Sequence, residues 1–222
     1  MSGRDKTSLW WHSENVRGAL MNGTCPVKLT KLACGMLSIA LGLGAYHVSL
    51  YGRSYAIDVT KSSLKIRVFK SGLFSAFAHD HEIEAPIDKG TIDTSANPSV
   101  QLVLDTRKMR VLDPEISADK RSEIQRTMQS SSVLDSEHFP EISFQSTGVK
   151  NSGNNHWEVH GNLSLHGRMR PLVVAVALDS GHYRGLVSFK QSEFGISPVR
   201  VAGGTVRVKD EVKIEFDIVP AQ

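Results

Sequence analysis

The chain has 222 residues, 40% of them hydrophobic and 22% charged, with a formal net charge of +3. Those values suit an ordinary globular protein of one mid-sized domain plus appendages, and so small and evenly spread a charge argues against a nucleic-acid partner. Cys25 and Cys34 are the only cysteines, so everything after Ser54 lacks a structural disulfide and any cysteine-ligated metal.

In chain order, residues 1–27 read as an N-terminal extension, with Met21 as an alternative start. Residues 28–50 read as a signal peptide or a membrane anchor. Lys28 and Lys31 precede an apolar run from Leu32 to Ala45, and the small residues Gly42, Gly44 and Ala45 offer a cleavage site. Extended through Leu50, the same stretch, residues 32–50, becomes long enough to hold the protein at the inner membrane uncleaved. The expectation is a domain over residues 55–222 that is periplasmic or secreted, or anchored by that segment.

From Tyr55 the pattern has period two. Leu64, Ile66 and Val68 alternate with Lys65 and Arg67, and Val100, Leu102 and Leu104 with Gln101, Val103 and Asp105. Ile142 and Phe144 share a face, as do Trp157, Val159, Leu163 and Leu165, and finally Val212, Ile214, Phe216 and Ile218. Turn residues separate the runs at "NSGNN", "HGRMRP" and "DSGH". One segment, Ser117 to Gln129, reads as a helix with Ser117 as N-cap and a narrow stripe of Ile124 and Met128, suited to closing a barrel end.

About eight strands and one short helix predict an all-β, lipocalin-like antiparallel barrel. Closure removes exposed edges, and an eight-strand interior is just wide enough for side chains or one small ligand. "PLVVAVAL", Pro171 to Leu178, is apolar on both faces, which predicts that the helix or a long loop covers its outside.

Several blocks are similar to those of a known family: "YAIDVTKSSLKIRV" (Tyr55–Val68), "GTIDTSANPS" (Gly90–Ser99), "SEHFPEISFQST" (Ser136–Thr147), "VHGNLSLHGRMRPLVV" (Val159–Val174) and "DEVKIEFDI" (Asp210–Ile218). Together they resemble the YceI-like family of exported, lipocalin-like, polyisoprenoid-binding proteins. The resemblance implies a lipid ligand. The departure is "AHDHEI", Ala78–Ile83, which follows a turn lacking the family's histidine and marks a variant branch.

If Ala78–Ile87 is one strand, His79, His81, Ile83, Ala85 and Ile87 share a face opposite Asp80, Glu82 and Glu84. Both histidines then point toward the lumen at its outer end. Three roles stay open. They are polar trim satisfied by loop partners, contacts to a ligand head group, or a divalent-metal nucleus completed by His166, His160 or His138. His166 reads first as a turn residue. No nucleophile motif, phosphate loop or cofactor signature appears, so the expectation is a binding protein without a cofactor. The candidate ligand-binding residues are Leu64, Ile66, Val68, Leu102, Leu104, Phe144 and Trp157, with His79 and His81 at the head group or a metal. A metal-binding protein or metal-dependent enzyme centred on those histidines is the alternative. A homodimer is left open.

Overall fold

Period-two alternation makes a sheet that buries one face, and here that sheet curls until its apolar face encloses a space. The computed structural model describes residues 52–71, 80–201 and 206–221. The segments 1–27 and 28–50, the membrane association expected of residues 32–50, and His79 lie outside those residues. Among the described residues run β1 (Ser54–Ala56), β2 (Ser63–Ser71), β3 (His81–Glu84), β4 (Ile87–Asp93), β5 (Ser99–Asp105) and β6 (Arg110–Val111). Helix α1 (Ala118–Gln129) follows, then β7 (Glu141–Gly153), β8 (His156–Leu165), β9 (Arg168–Asp179), β10 (His182–Lys190), β11 (Arg200–Val201) and β12 (Val206–Ile218). Eight of these strands span seven residues or more, and they form the wall.

The sheet is antiparallel throughout, in the order β1-β4-β5-β7-β8-β9-β10-β12-β2-β3-β6, with β11 alongside β12. Its two ends are managed differently. At β1, the Asp58 N–H donates to the Val219 carbonyl at 2.8 Å and the Ala221 N–H to the Ala56 carbonyl at 2.8 Å, so the chain's last residues close onto its first strand. At β6, Gln125 of α1 substitutes for a strand. Its Oε1 accepts from the Val111 N–H and its Nε2 donates to the Met109 carbonyl, each at 2.8 Å. A glutamine side chain carries one amide's worth of donors and acceptor, so it can satisfy an edge that a further strand would otherwise claim. The architecture is therefore all-β and lipocalin-like, a curled antiparallel sheet whose β6 edge is covered by a helix side chain.

Ser117 caps α1 through its Oγ, which accepts from the Lys120 N–H at 3.3 Å. Ile124 and Met128 then face the barrel end, where Met128 is buried with Met109, Leu134, Phe194 and Ile196. The hairpin turns follow their residues. His166–Gly167 and Ser180–Gly181 have positive φ at both positions (51° and 69°, 52° and 85°). That is the backbone that matches the twist of a two-residue hairpin.

Two expectations need correcting. Residues 78–87 do not form one strand: the chain breaks at Ala85–Pro86, so β3 pairs with β2 and β6 while β4 pairs with β1 and β5. Proline supplies no ladder N–H and ends the run there. The outside of Pro171–Leu178 has no cover among the described residues either, with Val173 49% exposed. Alanine at 175 and 177 keeps that outer face small, so the cost of wetting it is low.

Candidate functional site

The sheet wraps a cavity of about 570 Å³, within the range of ligand pockets of roughly 300–1,000 Å³. All seven apolar candidates, Leu64, Ile66, Val68, Leu102, Leu104, Phe144 and Trp157, line it. Alternation accounts for this, since every second residue of β2, β5, β7 and β8 turns inward. Strands β9, β10 and β12 add Leu172, Val187, Ile214 and Phe216. Many of these inward side chains are only half-buried, Ile66, Phe144, Val187 and Ile214 among them. An inward apolar residue in a packed core would be fully covered. Here the missing cover is the cavity.

The wall is thinned where rings lie against it. A Cβ on Gly161 of β8 would sit 2.4 Å from the Phe144 ring and 2.7 Å from the Gln145 carbonyl. At Gly185 of β10 it would sit 2.5 Å from the Phe216 ring. Both rings therefore occupy the space that a side chain at those glycines would fill.

The two ends of the cavity differ in chemistry. Toward α1 it is closed by Met109, Met128, Leu134 and Ile196. At the opposite end its lining includes Asp93, Thr94, Ser95 and Ser99 around the β4–β5 turn and Asn151 near the end of β7, beside Trp157 and Tyr183. The rings of Trp157 and Tyr183 lie 6.1 Å apart at 56°. Among the described residues neither the Trp157 indole N–H nor the Tyr183 hydroxyl has a hydrogen-bond partner. Burial pushes the Tyr183 phenol up, and the neighbouring Tyr55 adds to the shift. Hydrogen bonds from Ser95 hold the Asp93 carboxyl below its ordinary range, so this rim keeps one negative charge.

His81 is not among the cavity-lining residues. Its Nδ1 lies 2.6 Å from Asp113 Oδ2, while Asp113 Oδ1 accepts from the Glu82 N–H at 2.8 Å. Asp113 is 1% exposed and His81 24%. Arg121 of α1 donates to the Asp113 carbonyl through Nε and Nη2, at 3.2 and 3.0 Å. The cluster ties β3 to the loop entering α1, at the closed end of the cavity. Asp113, within "LDPE", was not singled out by sequence.

The histidines considered as further metal ligands are spoken for elsewhere. His166 Nδ1 lies 3.3 Å from the Phe194 carbonyl with its ring 4.8 Å from that of Phe139. His160 pairs with Glu158 at 2.6 Å and His138 with Asp135 at 2.9 Å. The Asp135 carboxylate raises the His138 imidazole above its ordinary value. Among the described residues no group of three or more His, Cys, Asp or Glu is placed to hold a metal.

Comparison with known proteins bears on this architecture as a whole. The model of the YceI-like domain matches residues 55–220. The chain belongs to the YceI-like family. A UPF0312 protein of Vibrio parahaemolyticus is 25% identical over 201 residues, covering 85% of this chain and 98% of that protein. Among solved structures, Burkholderia cenocepacia BcnA superimposes with a TM-score of 0.56 at 20% identity, over 75% of this chain and 99% of BcnA. At that identity the likeness speaks to the YceI-like fold alone. A polyisoprenoid binding domain from Saccharophagus degradans is more distant, with a TM-score of 0.48 at 14% identity over 74% of this chain and 95% of that one.

Proposed function

We propose that this YceI-like chain is a carrier that holds one long apolar molecule, an isoprenoid or related lipid, in the barrel lumen. The observation that supports this most is the cavity itself, walled by half-covered aliphatic and aromatic side chains. At roughly 30 Å³ per chain carbon, comparable to the share of one water molecule, its volume accommodates about 20 carbons. Each buried methylene contributes about 0.8 kcal/mol, so a tail of that length offsets the cost of immobilising it without precise polar contacts.

The head group belongs at the Trp157–Tyr183 rim rather than at His81. There an indole N–H, a phenol O–H and the polar rim of Ser99 and Asn151 present donors, while the Asp93 carboxylate disfavours an anion. An uncharged head bearing acceptor oxygens fits that set. His81, engaged with Asp113, acts structurally in this reading. The wall is overwhelmingly aliphatic and aromatic, and binding is the chemistry it favours. Export to the periplasm, through the apolar run Leu32–Ala45, gives such a carrier access to lipid between membranes.

Native mass spectrometry of the protein purified without chelator is the test. A bound species of several hundred daltons that partitions into organic solvent is the expected result. A mass excess of one divalent ion, lost on chelation, would favour the metal-binding alternative. Protein that arrives empty and takes up no long-chain probe would overturn the carrier reading.

A further inference from the structure

The outer wall carries a second feature that the lumen does not use. On β2, Lys65, Arg67 and Phe69 face outward, alternating with the lumen-lining Leu64, Ile66 and Val68. On the neighbouring strand β12, a β-bulge between Val208 and Val212 interrupts the register with β2. The extra residues bring Lys209, within the bulge, and Lys213, just past it, over one ring. Their Nζ atoms lie 5.8 and 5.4 Å from the centroid of Phe69. Beside them Arg207 of β12 stands directly opposite Arg200 of β11.

Several cations on neighbouring parts of this wall are neutralised. Lys65 pairs with Glu82 at 2.9 Å, Arg67 with Glu82 and Glu215 at 3.7 and 3.5 Å, and Arg184 with Asp179 and Asp217 at 2.9 Å each. By contrast Arg200, Arg207, Lys209 and Lys213 have no carboxylate within ion-pair distance among the described residues. Two acidic residues share the bulge with Lys209. Asp210 is taken up by the Ser192 N–H and hydroxyl at 2.9 and 2.6 Å, and Glu211 stands opposite Lys190 across β10–β12. Two unpaired lysines therefore flank one aromatic ring, with Arg207 and Arg200 two residues further along β12 and on the adjoining β11.

We infer that this face, centred on Phe69, Lys209 and Lys213, docks the protein on an anionic lipid surface. Cations near such a surface are attracted by its negative potential, and an aromatic ring flanked by lysine stems suits the headgroup layer. A nucleic acid would ask for a groove and several stacking rings, and this wall offers one ring on a convex surface. The inference rests on the carrier reading for its purpose, because a carrier of membrane lipids must reach a membrane. It does not rest on it for its geometry.

The test is vesicle flotation of the full chain, with phosphatidylcholine vesicles and with vesicles that also contain phosphatidylglycerol. Binding to neutral vesicles measures what other segments contribute, and the anionic increment is the readout. Each cation adds about fivefold to binding at low salt, so K209A/K213A is expected to lose about 25-fold of that increment. F69A is expected to lose part of it, and raised salt most of it. Equal binding to both vesicle types, or an increment unchanged in folded K209A/K213A, would overturn the inference. So would equally strong, Lys209/Lys213-dependent binding to DNA, which would mark a general polyanion site. The two readings fail separately. Loss of long-chain probe uptake with docking intact counts against the carrier, and loss of docking with probe uptake intact counts against the docking face alone.

Discussion

Filling the lumen with a side chain should remove the ligand without unfolding the protein. Val187 of β10 stands opposite Ile214 of β12, which stands opposite Ile66 of β2, and all three line the cavity. Val187→Trp adds about seven heavy atoms, and their only free direction is the space a tail would occupy. At about 0.8 kcal/mol per displaced methylene the ligand loses up to ~6 kcal/mol. A flexible tail recovers part of this by bending around the indole, so affinity for a long-chain fluorescent probe is expected to fall by at least about 100-fold. Stability should barely change. Overpacking costs about 1–3 kcal/mol where a core is already full, and this wall is half-covered. The assay pairs probe titration with thermal unfolding followed by circular dichroism. A folded Val187→Trp protein that binds the probe like the wild type would show that the ligand does not sit in the lumen.

Asp113→Ala should cost about 2–4 kcal/mol in urea unfolding, because it strands the His81 imidazole and the Glu82 N–H at a site that is nearly dry; probe affinity should stay within about twofold if His81 is structural. Trp157→Phe and Tyr183→Phe should each weaken binding of a lipid with an acceptor-bearing head by about 2- to 10-fold, one net hydrogen bond apiece, while leaving a plain alkane probe unaffected. Gly161→Ala should destabilise by about 1–3 kcal/mol, since its methyl meets both the Phe144 ring and a backbone carbonyl. The Arg107 hydrogen bond holds the Asp105 carboxyl down to about 2, from an ordinary 3.8. A depressed acid stabilises the fold above its unfolded pKa and loses that contribution as pH falls through the folded one, here between about 4 and 2. Arg107→Gln should return the Asp105 titration, followed by carboxyl NMR, toward 3.8. With Arg107 mostly exposed, overall stability should change little.

The lumen was legible because a strand repeats every two residues and only one face is buried. Once Leu64, Ile66 and Val68 are assigned inward, neighbouring strands must follow in register, so a local pattern fixes a global surface. The helix was legible for the same reason, with Ser117 and the Ile124–Met128 stripe both serving as read. His81 was not. Alternation places His81 beside Ile83 on one face, yet its imidazole meets Asp113, 32 residues further along the chain. Nothing local in "LDPE" says that its carboxylate comes to rest beside β3. Gln125 is similar: a glutamine on a polar helix face looks solvated until the fold sets β6 against it. Side chains that mend an edge or anchor a loop take their meaning from partners that only the assembled fold supplies.

A lumen lined by half-covered apolar side chains raises the question of what holds the barrel together. The structure separates the tasks. One buried cluster plugs the end under α1, where Met109, Met128, Leu134, Phe194 and Ile196 pack together. A second, of Ile57, Ile87, Ile92 and Ile218, sits where the chain's end closes onto β1. Between them the wall residues Ile66, Val187 and Ile214 are half-covered, and they contribute less to folding than their hydrophobicity would allow. That shortfall is the free energy a ligand recovers when it completes their burial. Truncations in the two plugs should therefore register mainly as lost stability, and substitutions on the half-covered wall mainly as lost affinity. A barrel packed uniformly along its length could not divide the two effects in this way.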